Sequence, residues 1–375
     1  MRILHTADWH LRAESPDRLR VLEVLRDVLD RESVDVLLIA GDLFDSPQAA
    51  HRLRPDLRRY FESLQRPVLL IPGNHDEEAF LEGIDLGQNV RLLGTEPVEL
   101  EGVLFDGLWF RRSQRAVREL DRIQARWSGD APVVLLAHVS FYQRTPRWHN
   151  RDLVEHEGLA PGQDCPLLAE DLADREIAYL ALGHWHQYAA TRAGLIPVVY
   201  PGTPVPLGES ELGPRYVVLL EPTPSGPFSF RPLPLQGVPE IRSVRRFIWG
   251  DEAPALEQLE QLLAGGEPHV RLRVRLEGYL SGSEKAFRAR LEALRGAYAD
   301  RWAEVMIDFT PRQVPDSLWP VLRALQELSP PAALGPSWWQ AYLEEPLWRW
   351  VEELSGESIH RRALQYLVNA LLEQA

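Results

Sequence analysis

Cysteine is almost missing: Cys165 is the only one in 375 residues. No intramolecular disulfide can form, and a reducing, cytoplasmic setting fits. Any metal site must therefore be built from His, Asp, Glu or Asn. Lysine is equally scarce, with Lys285 alone, so arginine carries nearly all the positive charge; an arginine-biased genome explains that as well as function does. No apolar run approaches the roughly 20 residues that cross a bilayer. Met1-Arg2-Ile3-Leu4 runs straight into polar His5-Thr6-Ala7-Asp8, so neither a leader nor a membrane segment is expected. A basic excess is lacking too. The net charge of −14 argues against a surface that coats nucleic acid non-specifically. It does not exclude a cationic cleft, since two bound divalent ions would add four positive charges locally.

What is present is globular. Hydrophobic residues at 45% and charged residues at 26% exclude wholesale disorder, and the length calls for roughly two or three domains. The first half alternates apolar runs with helical patterns, as in an α/β layered domain. Strands are expected at 2–6, 34–40, 67–71, 132–137 and 178–182, continuously apolar as if buried on both faces. Leu19, Leu22, Leu25, Val28 and Leu29 predict a helix capped by Ser15 and Pro16. Leu53, Leu57, Phe61 and Leu64 predict another. An antiparallel pair is expected at 98–104 and 107–110, with the turn between.

Dense proline over 197–239 marks an exit near residue 235. The pattern of residues 236–312 reads strand, helix, strand, helix, strand. Its middle strand alternates Val270, Leu272, Val274 and Leu276 with Arg271, Arg273 and Arg275. Residues 313–375 read as tryptophan-rich amphipathic helices, whose rings serve as core or as a docking face.

Five segments put candidate metal ligands directly after apolar strands: Asp8-Trp9-His10, Gly41-Asp42-Leu43-Phe44-Asp45, Gly73-Asn74-His75-Asp76, Ala137-His138-Val139, and Gly183-His184-Trp185-His186. Polar groups so placed point into the crevice at the carboxyl edge of a sheet, where open α/β folds bind ligands. Asp, His and Asn suit divalent metals. Each segment alone reads as readily as a turn, a strand end or a buried histidine. Five of the eleven histidines fall in them, which packing does not explain.

Together these segments resemble the motif set of calcineurin-like metallophosphoesterases. The strings from Met1 to Leu11, Tyr179 to His186 and Tyr200 to Leu207 are similar to the SbcD-type branch, nuclease subunits of bacterial DNA-repair complexes. The resemblance implies a two-sheet β-sandwich flanked by helices, with a small α+β cap domain and C-terminal helices. It implies that Asp8, His10 and His186 hold one divalent ion and Asn74, His138 and His184 a second, with Asp42 bridging. The ions, usually manganese, would activate a water for in-line attack. His75 would serve as proton donor or transition-state stabiliser, and Asp76 would orient His75 or simply make a turn. Arg12 departs from the pattern, standing where the family has glycine. Implied partners are DNA, an SbcC-type ATPase docked on the C-terminal helices, and a second copy of the chain.

Two further features bear on substrate. Arg111, Arg115, Arg118, Arg122 and Arg126 recur at helical spacing, either as a phosphate-contacting stripe or as a solvated face. Arg144, Arg147, Trp148 and Arg151 follow His138 and mix charge with an aromatic ring, which suits nucleic acid and an ordinary surface loop equally. The expected activity is metal-dependent hydrolysis of DNA phosphodiesters. The alternatives are a phosphodiesterase acting on a small nucleotide and a non-catalytic scaffold.

Overall fold

The computed structural model describes residues 1–110, 116–127, 129–144, 165–223, 226–250, 252–280 and 282–313. The chain divides into two compact units, Met1–Ile241 and Arg242–Ala375.

The first unit is built on two six-stranded sheets. One contains β1 (Ile3–Thr6), β2 (Val36–Ala40), β3 (Val68–Ile71), β4 (Val90–Leu92), β13 (Tyr216–Thr223) and β14 (Gly226–Pro234), in the order β14-β13-β1-β2-β3-β4. The other contains β5 (Val98–Leu100), β6 (Val103–Leu108), β7 (Val133–His138), β10 (Ile177–Gly183), β11 (Ala189–Ala193) and β12 (Ile196–Tyr200), in the order β11-β12-β10-β7-β6-β5. Within the first sheet β1 to β4 run parallel, and within the second so do β6, β7, β10 and β12. β8 (Ser140–Tyr142) and β9 (Pro166–Leu168) form a small separate pair.

The apolar runs face two cores. Ile3, Val36, Leu38, Leu69 and Ile71 pack with Val134, Leu136, Tyr179 and Ala181 of the other sheet. The alternate residues Leu4, Leu37, Ile39, Val68 and Leu70 pack with helix residues. Those helices are α1 (Pro16–Leu19), α2 (Val21–Arg31), α3 (Pro47–Leu64) and α4 (Glu77–Leu81). The outer face of the second sheet, with Leu135, Leu180 and Leu182, packs on α5 (Val117–Gln124) through Leu120 and Ile123. Helices therefore flank a two-sheet sandwich, as anticipated.

Three local expectations are corrected. The first helix is broken at Arg20 into α1 and α2, and Ser15 makes no side-chain cap. The β5–β6 turn falls at Glu101-Gly102, not at residues 105–106. Both turn residues have positive φ (48° and 75°), as a two-residue hairpin loop demands. Asp106 is instead buried within β6, its carboxylate bonded by Gly107 N–H at 2.8 Å and the Trp127 indole at 2.9 Å.

The second unit carries β15 (Glu240–Gly250), α6 (Glu252–Ala264), β16 (Val270–Leu280), α7 (Glu284–Tyr298) and β17 (Glu304–Gln313), with sheet order β15-β16-β17. Val270, Leu272, Val274 and Leu276 lie in its core with Leu259, Leu263, Phe287 and Leu291. The helices expected after residue 313 lie outside the described residues.

Candidate metal centre

The five motif segments all reach one crevice because the parallel strands of both sheets end there. Asp8 and His10 follow β1, Asp42 follows β2, and Asn74 and His75 follow β3. From the second sheet, His138 closes β7 and His184 follows β10.

Four of the candidate ligands adopt an unusual backbone conformation. Asp8, His10, Asp42 and His184 have φ of 54°, 44°, 48° and 100°. Backbone bonds Asp8 N–H to Gly41 C=O (3.0 Å) and His10 N–H to Asp42 C=O (2.9 Å) hold the first two loops together. Gly41, at φ 94°, has its α-carbon against the His138 imidazole, and Gly73 has its own against the Asp42 carboxylate, so a methyl at either overlaps a ligand.

Asp42 occupies the middle. Its Oδ1 accepts the His75 N–H at 2.8 Å. Its Oδ2 lies 3.5 Å from His10 Nε2 on one side and 3.3 Å from His138 Nε2 on the other. Asn74 Oδ1 lies 3.0 Å from that same His138 Nε2 and 3.1 Å from His184 Nδ1. His138 Nδ1–H donates to Ala40 C=O at 2.9 Å, which turns Nε2 to the crevice. The Asp8 carboxylate accepts the His184 N–H at 3.0 and 3.1 Å. Donor atoms of Asp8, His10 and His186 lie within 4.8 Å of one another, as do those of His10, Asp42 and His75, and those of Asp8, Asp42 and His138.

The electrostatics are those of a cation site. Asp8 and Asp42 are almost fully buried, which is costly for carboxylates without counter-charge. Burial holds His10 and His184 down to about 3, against the pull of Asp42. Burial also opposes charge on His138, but the Asp42 and Asp8 carboxylates outweigh it and raise that ring to about 10. Burial pushes Asp42 up, yet His138, His10 and His75 bring it well below the usual carboxylate range. Neither ring nitrogen of buried His10 has a hydrogen-bond partner among the described residues. Imidazole nitrogen, buried carboxylate and amide oxygen, in contact and under-bonded at His10, fit divalent metal ions, which would take the place of the His138 proton.

The N-terminal half matches the calcineurin-like phosphoesterase family model over residues 1–188, half of the chain. The chain belongs to this family. The SbcD component of the nuclease SbcCD from Bacillus subtilis (strain 168) is 27% identical over 256 residues, covering 57% of this chain and 64% of that protein. A second protein of that bacterium, the uncharacterized metallophosphoesterase YhaO, is 30% identical over 230 residues, covering 54% and 52%. The SbcD component of the same nuclease in Escherichia coli (strain K12) is 26% identical over 344 residues, covering 78% and 83%. The chain thus spans under two thirds of the first two relatives' length.

Within this phosphoesterase site some expectations change. The Asp76 carboxylate is engaged by backbone amides, and the His75 ring is held by a different group. The buried Asp76 carboxylate, pushed up to about 7 by burial and then by the Asp42 charge, accepts from Gly73 N–H (2.8 Å) and Phe44 N–H (3.0 Å). It ties two ligand loops together and is not the side-chain cap of α4. His75 is exposed and is oriented by the Asp45 carbonyl, 3.2 Å from Nδ1. The arginine stripe is not continuous. Arg126 is turned onto the buried Asp106 at 3.3 Å, Arg122 pairs with Glu119 at 3.2 Å, and Arg118 is exposed on α5. Arg144 is exposed just beyond β8. Arg111, Arg115, Arg147, Trp148 and Arg151 lie outside the described residues.

The string does not show the contacts of Asp45 and Arg12, and it does not single out Glu211. Asp45 is pinned by Arg18, whose guanidinium donates to its carboxylate at 2.6 Å and to His10 C=O at 2.8 Å. Arg12, the departure from the family pattern, joins the same carboxylate at 2.6 Å. Glu211 receives the Nδ1–H of His186 at 2.8 Å. Asp45 and Arg12 lie beside motifs; nothing in the string sets Glu211 apart from other glutamates.

Proposed function

We propose that this chain hydrolyses phosphodiester bonds in DNA, using two divalent cations. The observation that carries the reading is the position of Asp42 Oδ2, between His10 Nε2 at 3.5 Å and His138 Nε2 at 3.3 Å. We assign Asp8, His10 and His186 to one cation and Asn74, His138 and His184 to the other, with Asp42 shared. His138 goes with the second set because its Nδ1 is committed to Ala40 and its Nε2 faces Asn74. The mixed donor set accommodates manganese, which we propose as the ion.

Two such ions supply charge neutralisation at the phosphate and acidify a water. The chain's own residues do the rest. Asp42, His138 and Asn74 fix the donor positions without needing to move. His75 donates Nδ1–H to Asp45 C=O, which leaves Nε2 toward the crevice; as the doubly protonated imidazolium it would give its Nε2 proton to a leaving oxygen and remain as the neutral Nδ1–H ring. Its exposure suits a group that meets substrate.

The DNA assignment draws on relatives named as the SbcD component of the nuclease SbcCD. An SbcC-type ATPase is the partner proposed for residues 313–375, and the small unit is proposed to shape DNA access. A second copy of the chain and a reducing cytoplasm complete the reading.

The test is manganese-dependent cleavage of end-labelled DNA by the unsubstituted chain and by Asp42→Ala. Loss of at least a thousandfold is expected, and cleavage that survives Asp42→Ala overturns the assignment. Turnover of bis(p-nitrophenyl) phosphate with none of DNA would move the substrate to a small nucleotide.

A further inference from the structure

We propose that Glu211 is a positioning residue for His186 and thereby sets how tightly one of the two cation positions is held. This deepens the two-cation reading and rests on it.

Glu211 lies between β12 and β13, beyond the residues that match the family model. Its carboxylate works at both oxygens. Oε1 accepts from His186 Nδ1–H at 2.8 Å. Oε2 accepts from Leu207 N–H at 2.9 Å and Thr203 Oγ–H at 3.1 Å. Behind it, Arg215 is 2% exposed, 3.5 Å from Oε2, and donates to the carbonyls of Glu211 and Leu212 at 3.1 and 2.9 Å. A carboxylate held at three points cannot follow the ring if it turns, so the ring is held instead.

The bond at Nδ1 fixes the tautomer. With Nδ1 as donor, Nε2 keeps its lone pair for a cation, and the negative partner makes the imidazole a stronger donor. His138 is fixed in the same sense, but by a neutral carbonyl, Ala40 C=O. The two positions therefore differ in how their histidines are supported. His186 is also the less enclosed, its side chain 26% exposed, so it has more freedom to gain when the carboxylate is removed.

The test titrates manganese into chelator-stripped full-length protein. Free manganese is read by electron paramagnetic resonance, for the unsubstituted chain, Glu211→Gln and Glu211→Ala. Thermal melting in chelator is recorded alongside. The unsubstituted chain should take up two ions. Glu211→Ala should weaken one position by about 10–100-fold and leave the other unchanged. Glu211→Gln keeps an acceptor for Nδ1–H and should recover much of that loss. Unchanged affinities in both variants would overturn the inference while sparing the two-cation reading. So would equal weakening of both positions in step with a lower melting temperature in chelator, the mark of a purely structural role. Fewer than two ions on the unsubstituted chain would overturn both.

Discussion

A left-handed backbone costs a residue with a side chain about 1–2 kcal/mol, and four candidate ligands adopt one around this crevice. Such conformations persist only where the surroundings enforce them, and here neighbouring glycines leave room for the enforced packing. Gly41→Ala combines φ 94° with a methyl against His138. It should abolish binding of at least one manganese, read as metal content after dialysis. His75→Ala should lower turnover about 100–10,000-fold with manganese uptake retained, which separates a proton donor from a ligand. Asp76→Ala leaves the Phe44 and Gly73 N–H groups unpaired in the interior. It should cost about 2–4 kcal/mol in urea unfolding, a loss that a solvent-facing turn aspartate would not produce.

At the scale of elements, strand ends explain why the ligands were visible in the string and their supports were not. A strand buried on both faces reads as a continuous apolar run, so β1, β2, β3, β7 and β10 stand out, and the polar residues that follow them must lie at the sheet edge. Helix limits were less legible. α3 begins at Pro47 with Ser46 accepting from Ala49 N–H at 3.2 Å, whereas the periodic apolar positions mark it only from Leu53 to its end at Leu64. Ser46→Ala should lower unfolding free energy by about 1 kcal/mol in urea titration, with metal content unchanged. Arg126 shows the limit of periodicity. It shares a spacing with Arg118 and Arg122, but α5 ends at Gln124 and the buried Asp106 captures its guanidinium.

For the whole molecule, a net charge of −14 and a crevice lined by Asp8 and Asp42 make cation uptake the event that most changes its energetics. Each ion bound at a hundred times its dissociation constant stabilises the fold by about 2.7 kcal/mol. Chelation should therefore lower the melting temperature of the Met1–Ile241 unit in calorimetry, and an unchanged transition would argue against a structural share for the ions.

The sequence by itself determined the family, the place of the candidate ligands at strand ends and the alternation of β16, because each is a local pattern of residue type and period. Tertiary structure alone decided what faces what. Which strand joins which sheet, the distances that set Asp42 between His10 and His138, the diversion of Asp76 to two backbone amides and the pairing of Glu211 with His186 all join residues distant in the chain or turned by a backbone angle. The physical reason is that hydrogen bonds and charge pairs act over a few ångströms in space, and a string records only separation along the chain.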